Sequence, residues 1–125
     1  MSQQLSKNIW RYEVACQCGC GFDTIDTETI GVVQECCDYF ANHLDINRVY
    51  LTITSGARCS SHNEKVGGSK NSQHLYARAI DFRIRGISPE DVLKYLLNKY
   101  PDLYGIGDYG TFTHLDTRTG SPARW

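Results

Sequence analysis

Three short segments alternate apolar and polar residues, while only two carry helical spacing, and this imbalance limits the fold more than any other feature. RVYLTIT (48–54) places Val49, Leu51 and Ile53 on one face of a strand. AIDFRIR (79–85) places Ile80, Phe82 and Ile84 on one face and Asp81, Arg83 and Arg85 on the other. TFTHLDTR (111–118) gathers Phe112, His114, Asp116 and Arg118 on a common face. Helical spacing runs over 26–44 through Ile30, Val33, Cys37, Phe40 and Leu44, with Asp26 or Thr27 as the cap. A second helix opens with Ser88 as cap, Pro89 at its first position and Glu90 and Asp91 at its positive end. It must stop at or just before Tyr100, because Pro101 follows. Strands without regular βαβ alternation predict an α+β fold, a mostly antiparallel sheet flanked by helices. The 125 residues suffice for one domain, 1–125, and not for two.

Charge excludes one class of partner. Thirteen basic residues against fourteen acidic ones give a net charge of -1, leaving no broad positive field for nucleic-acid phosphates. No apolar run approaches the roughly 20 residues of a membrane span. The opening MSQQLSKNIWRYEV lacks an apolar signal core, so synthesis and retention in a cytosol are expected unless something else exports the chain. The expected state is a monomer.

His74 ends a long Gly/Ser/Asn-rich connection, SGARCSSHNEKVGGSKNSQ (55–73), of a length usually kept for function. Asp81 projects from the polar face of its strand, and His114 and Asp116 share a face about 6.8 Å apart by the strand rise. A hydrolytic zinc site needs three protein ligands and an open position for water. His74, Asp81 and His114 supply such a trio if their strands are neighbours; otherwise they are hydrogen-bonded surface polar residues. His43, near a helix end, and His62, in the loop, need no special role.

The six cysteines (16, 18, 20, 36, 37 and 59) read as mostly reduced in a chain without an export signal. The run CQCGC (16–20) invites a structural metal, with Cys36 or Cys37 as further ligands, although such sites usually use C-x2-C or wider spacing. The alternative is a set of small buried or half-buried thiols.

Four stretches resemble the M15 family of zinc peptidases, the D-alanyl-D-alanine carboxypeptidase-like group that includes phage endolysins. They are ITSGARC (53–59), HNEKVGGSKNSQH (62–74), SQHLYARAID (72–81) and YGIGDYGTFTHLDTRTGSPARW (104–125). The resemblance implies a Hedgehog/DD-peptidase-like fold and one zinc ion per chain on His74, Asp81 and His114. It departs from the family pattern at Ala77, where glycine is usual, and at Thr111, where some relatives carry a glutamate. Asp116 is then the candidate for handling the proton of the attacking water, as general base and acid, or for orienting a ligand imidazole. Arg58 fits as oxyanion stabiliser or as clamp on a substrate carboxylate, and otherwise as a loop arginine holding the fold.

Ser72, Gln73 and Tyr109 are expected to line the substrate site, whereas Trp125 is assigned to the core, Gly67-Gly68 to a turn, and Gly105 and Gly107 to a strand or bulge. The implied substrate is the stem peptide of bacterial peptidoglycan, cut at D-Ala-D-Ala or at L-Ala-D-Glu. Arg58 and Arg118 are candidate partners for a free substrate carboxylate. A compact phage lysis or tail enzyme is the implied setting, reaching the cell wall through a membrane lesion or within a virion; a bacterial enzyme lacking its leader is the other. A non-catalytic zinc module of Hedgehog type is the competing class.

Overall fold

The computed structural model describes residues 2–125. Its helices are α1 (Arg11–Val14), α2 (Thr27–His43), α3 (Ser60–Lys65) and α4 (Pro89–Lys99). Its strands are β1 (Leu51–Ser55), β2 (Ala79–Ile84), β3 (Gly105–Asp108), β4 (Thr113–Asp116) and β5 (Ala123–Arg124). They form one five-stranded sheet in the order β1-β2-β4-β3-β5. Every pairing is antiparallel except the parallel β3–β5 edge. The expected α+β class and mostly antiparallel sheet are therefore what the chain adopts.

Local chemistry sets the two main helices. The Asp26 carboxylate accepts from Glu28 N at 3.1 Å, and the Ser88 hydroxyl accepts from Asp91 N at 3.1 Å, so each cap satisfies an orphaned helix donor. Ile30, Val33, Cys37 and Phe40 of α2, and Val92 and Leu96 of α4, pack against Ile80, Phe82, Ile84, Ile106 and Leu115 of the sheet. Each such buried side chain contributes about 1.5–3 kcal/mol. Register makes the opposite sheet face the functional one. Ile80, Leu115 and Ile106 pair across β2, β4 and β3, and so do Asp81, His114 and Gly107 one step along. Because side chains alternate, a core row forces a polar row onto the other side.

Several boundaries differ from expectation. β1 begins at Leu51 rather than 48, and β4 covers only Thr113–Asp116. The 55–73 connection is not an unstructured loop: it contains α3 and runs into a 3-10 turn, Gln73–Tyr76. Cys59 provides the α3 cap through its sulfur, a residue type outside the usual capping set. Ala77 ends the 3-10 turn in the left-handed region, with φ 56 and ψ 35. The position does demand positive φ, which is why a glycine suits it better than alanine.

Candidate metal centre

β2 and β4 bring two ligands together by pairing alone. Asp81 and His114 are direct cross-strand partners, and side chains so placed stand on the same face about 4.5–5.5 Å apart at Cβ. His114 Nδ1 lies 2.8 Å from Asp81 Oδ1. His74 arrives from the 3-10 turn, where Ser72 Oγ accepts from its backbone N at 3.2 Å. Its Nδ1 meets the Gly56 carbonyl at 2.7 Å, which fixes the ring and turns Nε2 toward Asp81 Oδ2, 3.1 Å away. His74, Asp81 and His114 are all buried, and their ligand atoms lie within 4.8 Å of one another.

The donor set fits a cation. His74 Nε2 is buried without a hydrogen-bond partner, a state that costs free energy unless something else satisfies the nitrogen. An ion shared with Asp81 and His114 would supply that partner, and two imidazoles with one carboxylate are suitable zinc ligands. Burial opposes ionisation of Asp81, but the hydrogen bond with His114 and the nearness of the His74 ring prevail and hold its carboxyl at about 2. Burial likewise opposes charging of His114, yet Asp116 and Asp81 outweigh it and raise the imidazole above its usual value.

Arg58 is aimed rather than free. Its Nε donates to Ser55 Oγ at 3.0 Å and its Nη1 to Asn63 Oδ1 at 3.2 Å, leaving Nη2 3.6 Å from Asp81 Oδ2. Asn63 is itself buried and donates to the Ser69 carbonyl at 2.8 Å. The HNEKVGG segment is thus the mount of the guanidinium, and Gly68 is a close approach, since a Cβ there would meet Asn63 and Arg58.

Asp116, for which the sequence leaves proton handling and imidazole orientation both open, lies behind His114. It has no exposed surface, and its Oδ2 lies 2.7 Å from His114 Nε2. Arg118 grips both its oxygens, Nε to Oδ1 at 2.8 Å and Nη2 to Oδ2 at 2.7 Å. The Gly105 amide adds a bond at 3.1 Å. Burial disfavours the charge, but Arg118 and His114 hold the carboxyl well below the usual range. Such a carboxylate is badly placed to take a proton from solvent-side chemistry. Arg118, raised as a partner for a substrate carboxylate, is already engaged. Gly105 is required by this clamp, because a Cβ would strike the Asp116 carboxylate.

A cleft of about 610 Å³ opens over the three ligands, lined by Arg58, Ser72, Gln73 and Tyr109 among others. Gln73 Oε1 accepts from Arg78 Nε at 2.5 Å, and Ser72 serves as the turn's cap. Trp125 is not in the core: it is 47% exposed and lies over His114, with ring centroids 4.9 Å apart. Its Nε1 donates to the Tyr109 hydroxyl at 2.9 Å. Gly107 makes room for this ring, since a Cβ would come within 2.6 Å of it. Gly105 and Gly107 therefore lie in strand β3, the strand half of their assignment, and there answer close approaches of side chains. Sequence reasoning missed Gly56, Ser55 and Asn63 as supports; only the nearness of 55–63 to the His74 loop hinted at them.

No curated protein gives a significant sequence match. The family described as Peptidase M15 matches residues 7–116, which includes every ligand of the centre and Arg58. On that match the chain belongs to the M15 peptidases, a family of zinc metallopeptidases, and His74, Asp81 and His114 form the His-Asp-His set that could hold the metal.

Proposed function

We propose that the chain is a zinc-dependent hydrolase of bacterial peptidoglycan stem peptides. It cuts the terminal D-Ala-D-Ala bond as a carboxypeptidase or the L-Ala-D-Glu bond as an endopeptidase. In this reading it is a phage lysis or virion enzyme that meets the cell wall after a membrane lesion or as part of a particle. The observation that carries the proposal is the convergence of an orphaned His74 Nε2, Asp81 and His114 beside a fixed Arg58 in an open cleft.

A zinc ion held by His74, Asp81 and His114 would supply Lewis acidity and a bound water acidic enough to ionise near neutral pH. Arg58 receives the negative charge that develops on the substrate carbonyl oxygen, or holds a terminal carboxylate. The Tyr109 hydroxyl accepts from Trp125 and keeps its own proton to offer toward the leaving amine. Asp116 orients His114 through its outer nitrogen. Trp125 covers one side of His114 and limits water there.

One observation favours the non-catalytic zinc module instead. Among the described residues, Asp81 is the sole carboxylate lining the cleft, because Asp116 is sealed behind His114. Mass spectrometry of fragments released from purified peptidoglycan, with zinc and with a chelator, separates the readings. Zinc-dependent D-alanine release supports a carboxypeptidase, and stem peptides beginning with D-glutamate support an endopeptidase. A zinc-loaded protein that releases nothing contradicts the hydrolase and leaves the binding module.

A further inference from the structure

A second cluster of ligands lies outside the catalytic cleft. Cys16, Cys18, Cys20 and Cys59 bring their sulfurs within 4.8 Å of one another. Cys36 and Cys37, one of which the metal reading would add to this run, are buried in α2 within the core, as the reading of small buried thiols expects. The partner is Cys59, which is 43 residues from Cys16 in sequence.

The spacing within the cluster is informative. Sγ of Cys16 and Cys18 are 3.4 Å apart, those of Cys18 and Cys59 3.6 Å, and those of Cys16 and Cys59 3.8 Å. A zinc–sulfur bond of about 2.3 Å in a tetrahedron sets sulfur–sulfur edges near about 3.8 Å. Backbone donors already face the sulfurs: Cys59 N is 3.4 Å from Cys16 Sγ, and His62 N is 3.4 Å from Cys59 Sγ. At Cys16 the Cys59 amide favours the thiolate, the form that binds metal.

The close C-x-C-x-C spacing is accommodated by the backbone. Gly19 (φ 80) and Gly21 (φ 91) are both left-handed, with open space where a Cβ would sit. Cys16 N donates to the Phe22 carbonyl at 2.8 Å and Gly19 N to the Cys16 carbonyl at 3.3 Å. The loop thereby curls so that alternate residues present sulfur to the same point. Conformation, more than residue spacing, decides whether such a run can wrap an ion.

We infer that Cys16, Cys18, Cys20 and Cys59 form a structural zinc site, giving the chain two zinc ions rather than one. Binding releases the thiol protons and joins the 16–20 loop to the segment that carries Gly56 and Arg58. That segment serves the first centre twice, through the Gly56 carbonyl on His74 and through the Arg58 guanidinium near Asp81. The second ion is therefore a staple for the floor of the cleft. A small domain gains particularly from such a cross-link.

Metal content and cobalt substitution test the site without reference to peptide hydrolysis. The full chain is purified with a non-chelating reductant, and bound zinc is measured by elemental mass spectrometry. Wild type is expected to hold two zinc ions, His74→Ala one, and Cys18→Ser/Cys20→Ser one. Both substituted cysteines are exposed, so their replacement leaves the core intact. Cobalt-loaded wild type and His74→Ala should show a thiolate-to-cobalt charge-transfer band. A single zinc in wild type that disappears with His74→Ala, or cobalt-loaded protein without that band, overturns the proposal. So does a disulfide among the four cysteines that persists under the reductant.

Discussion

Asp116 holds the outer nitrogen of His114 at 2.7 Å from a position with no solvent exposure. A carboxylate accepts but cannot donate, so Asp116 favours a proton on Nε2, and Nδ1, which faces Asp81 at 2.8 Å, is the nitrogen a metal would take. Arg118 and the Gly105 amide keep Asp116 charged and still. One imidazole thus links the buried clamp to the open cleft.

Asp116→Asn separates an orienting role from a proton-handling one. Loss of orientation should weaken zinc binding by about 10–100-fold, while much of the turnover returns when zinc is saturating. A catalytic base would instead show a large loss of kcat that added zinc does not restore. Zinc titration and kcat measured on the same preparation read both quantities.

Arg58→Lys keeps the charge and removes the fork that Ser55 and Asn63 hold. The zinc content should stay at the wild-type value. Peptidase kcat/KM should fall by about 100-fold, the scale of losing an aimed oxyanion donor. An unchanged kcat/KM would show that Arg58 only ties the loop together.

Ala77 sits in left-handed backbone with φ 56. Ala77→Gly relieves a penalty of roughly 1–2 kcal/mol, partly offset by the greater freedom of glycine in the unfolded chain. The net expectation is about 0.5–1 kcal/mol of added stability and a higher Tm in thermal unfolding. A lower Tm would mean that the Ala77 methyl packs more usefully than its backbone suffers.

The metal-free protein should lose stability in acid. The Asp81 carboxyl is held at about 2 in the folded chain, below its unfolded value of about 3.9. Its contribution is therefore present above about pH 4 and lost as pH falls toward about 2. Asp116, also depressed, acts in the same direction. Denaturant midpoints of chelated wild type against pH test this, and Asp81→Asn should flatten the slope in that window.

The ligand trio was legible because its signals are local. Strand alternation set Asp81 on a polar face and His114 beside Asp116, the long 55–73 connection pointed to His74, and the family motifs picked out the same three residues. Caps at Asp26 and Ser88 were equally readable, since each acts within its own helix. Asp116 was harder to read. Its sequestration depends on Arg118 folding back and on Gly105 of another strand, and neither is implied by HxD. The sequence alone leaves Trp125 in the core, because nothing local to it shows that Gly107 and Tyr109 create a place for it at the cleft. Cys59 was hidden among loop residues, and only the docking of β1's exit against α1, through Ala57 N on the Val14 carbonyl at 2.8 Å, brings it to Cys16.

The most direct measurement is an anomalous-difference map, recorded at the zinc absorption edge, from crystals of the zinc-loaded protein. It should show a peak about 2 Å from His74 Nε2, an Asp81 oxygen and His114 Nδ1. A fully zinc-loaded crystal with no peak among those three residues would contradict the metal centre and the hydrolysis built on it.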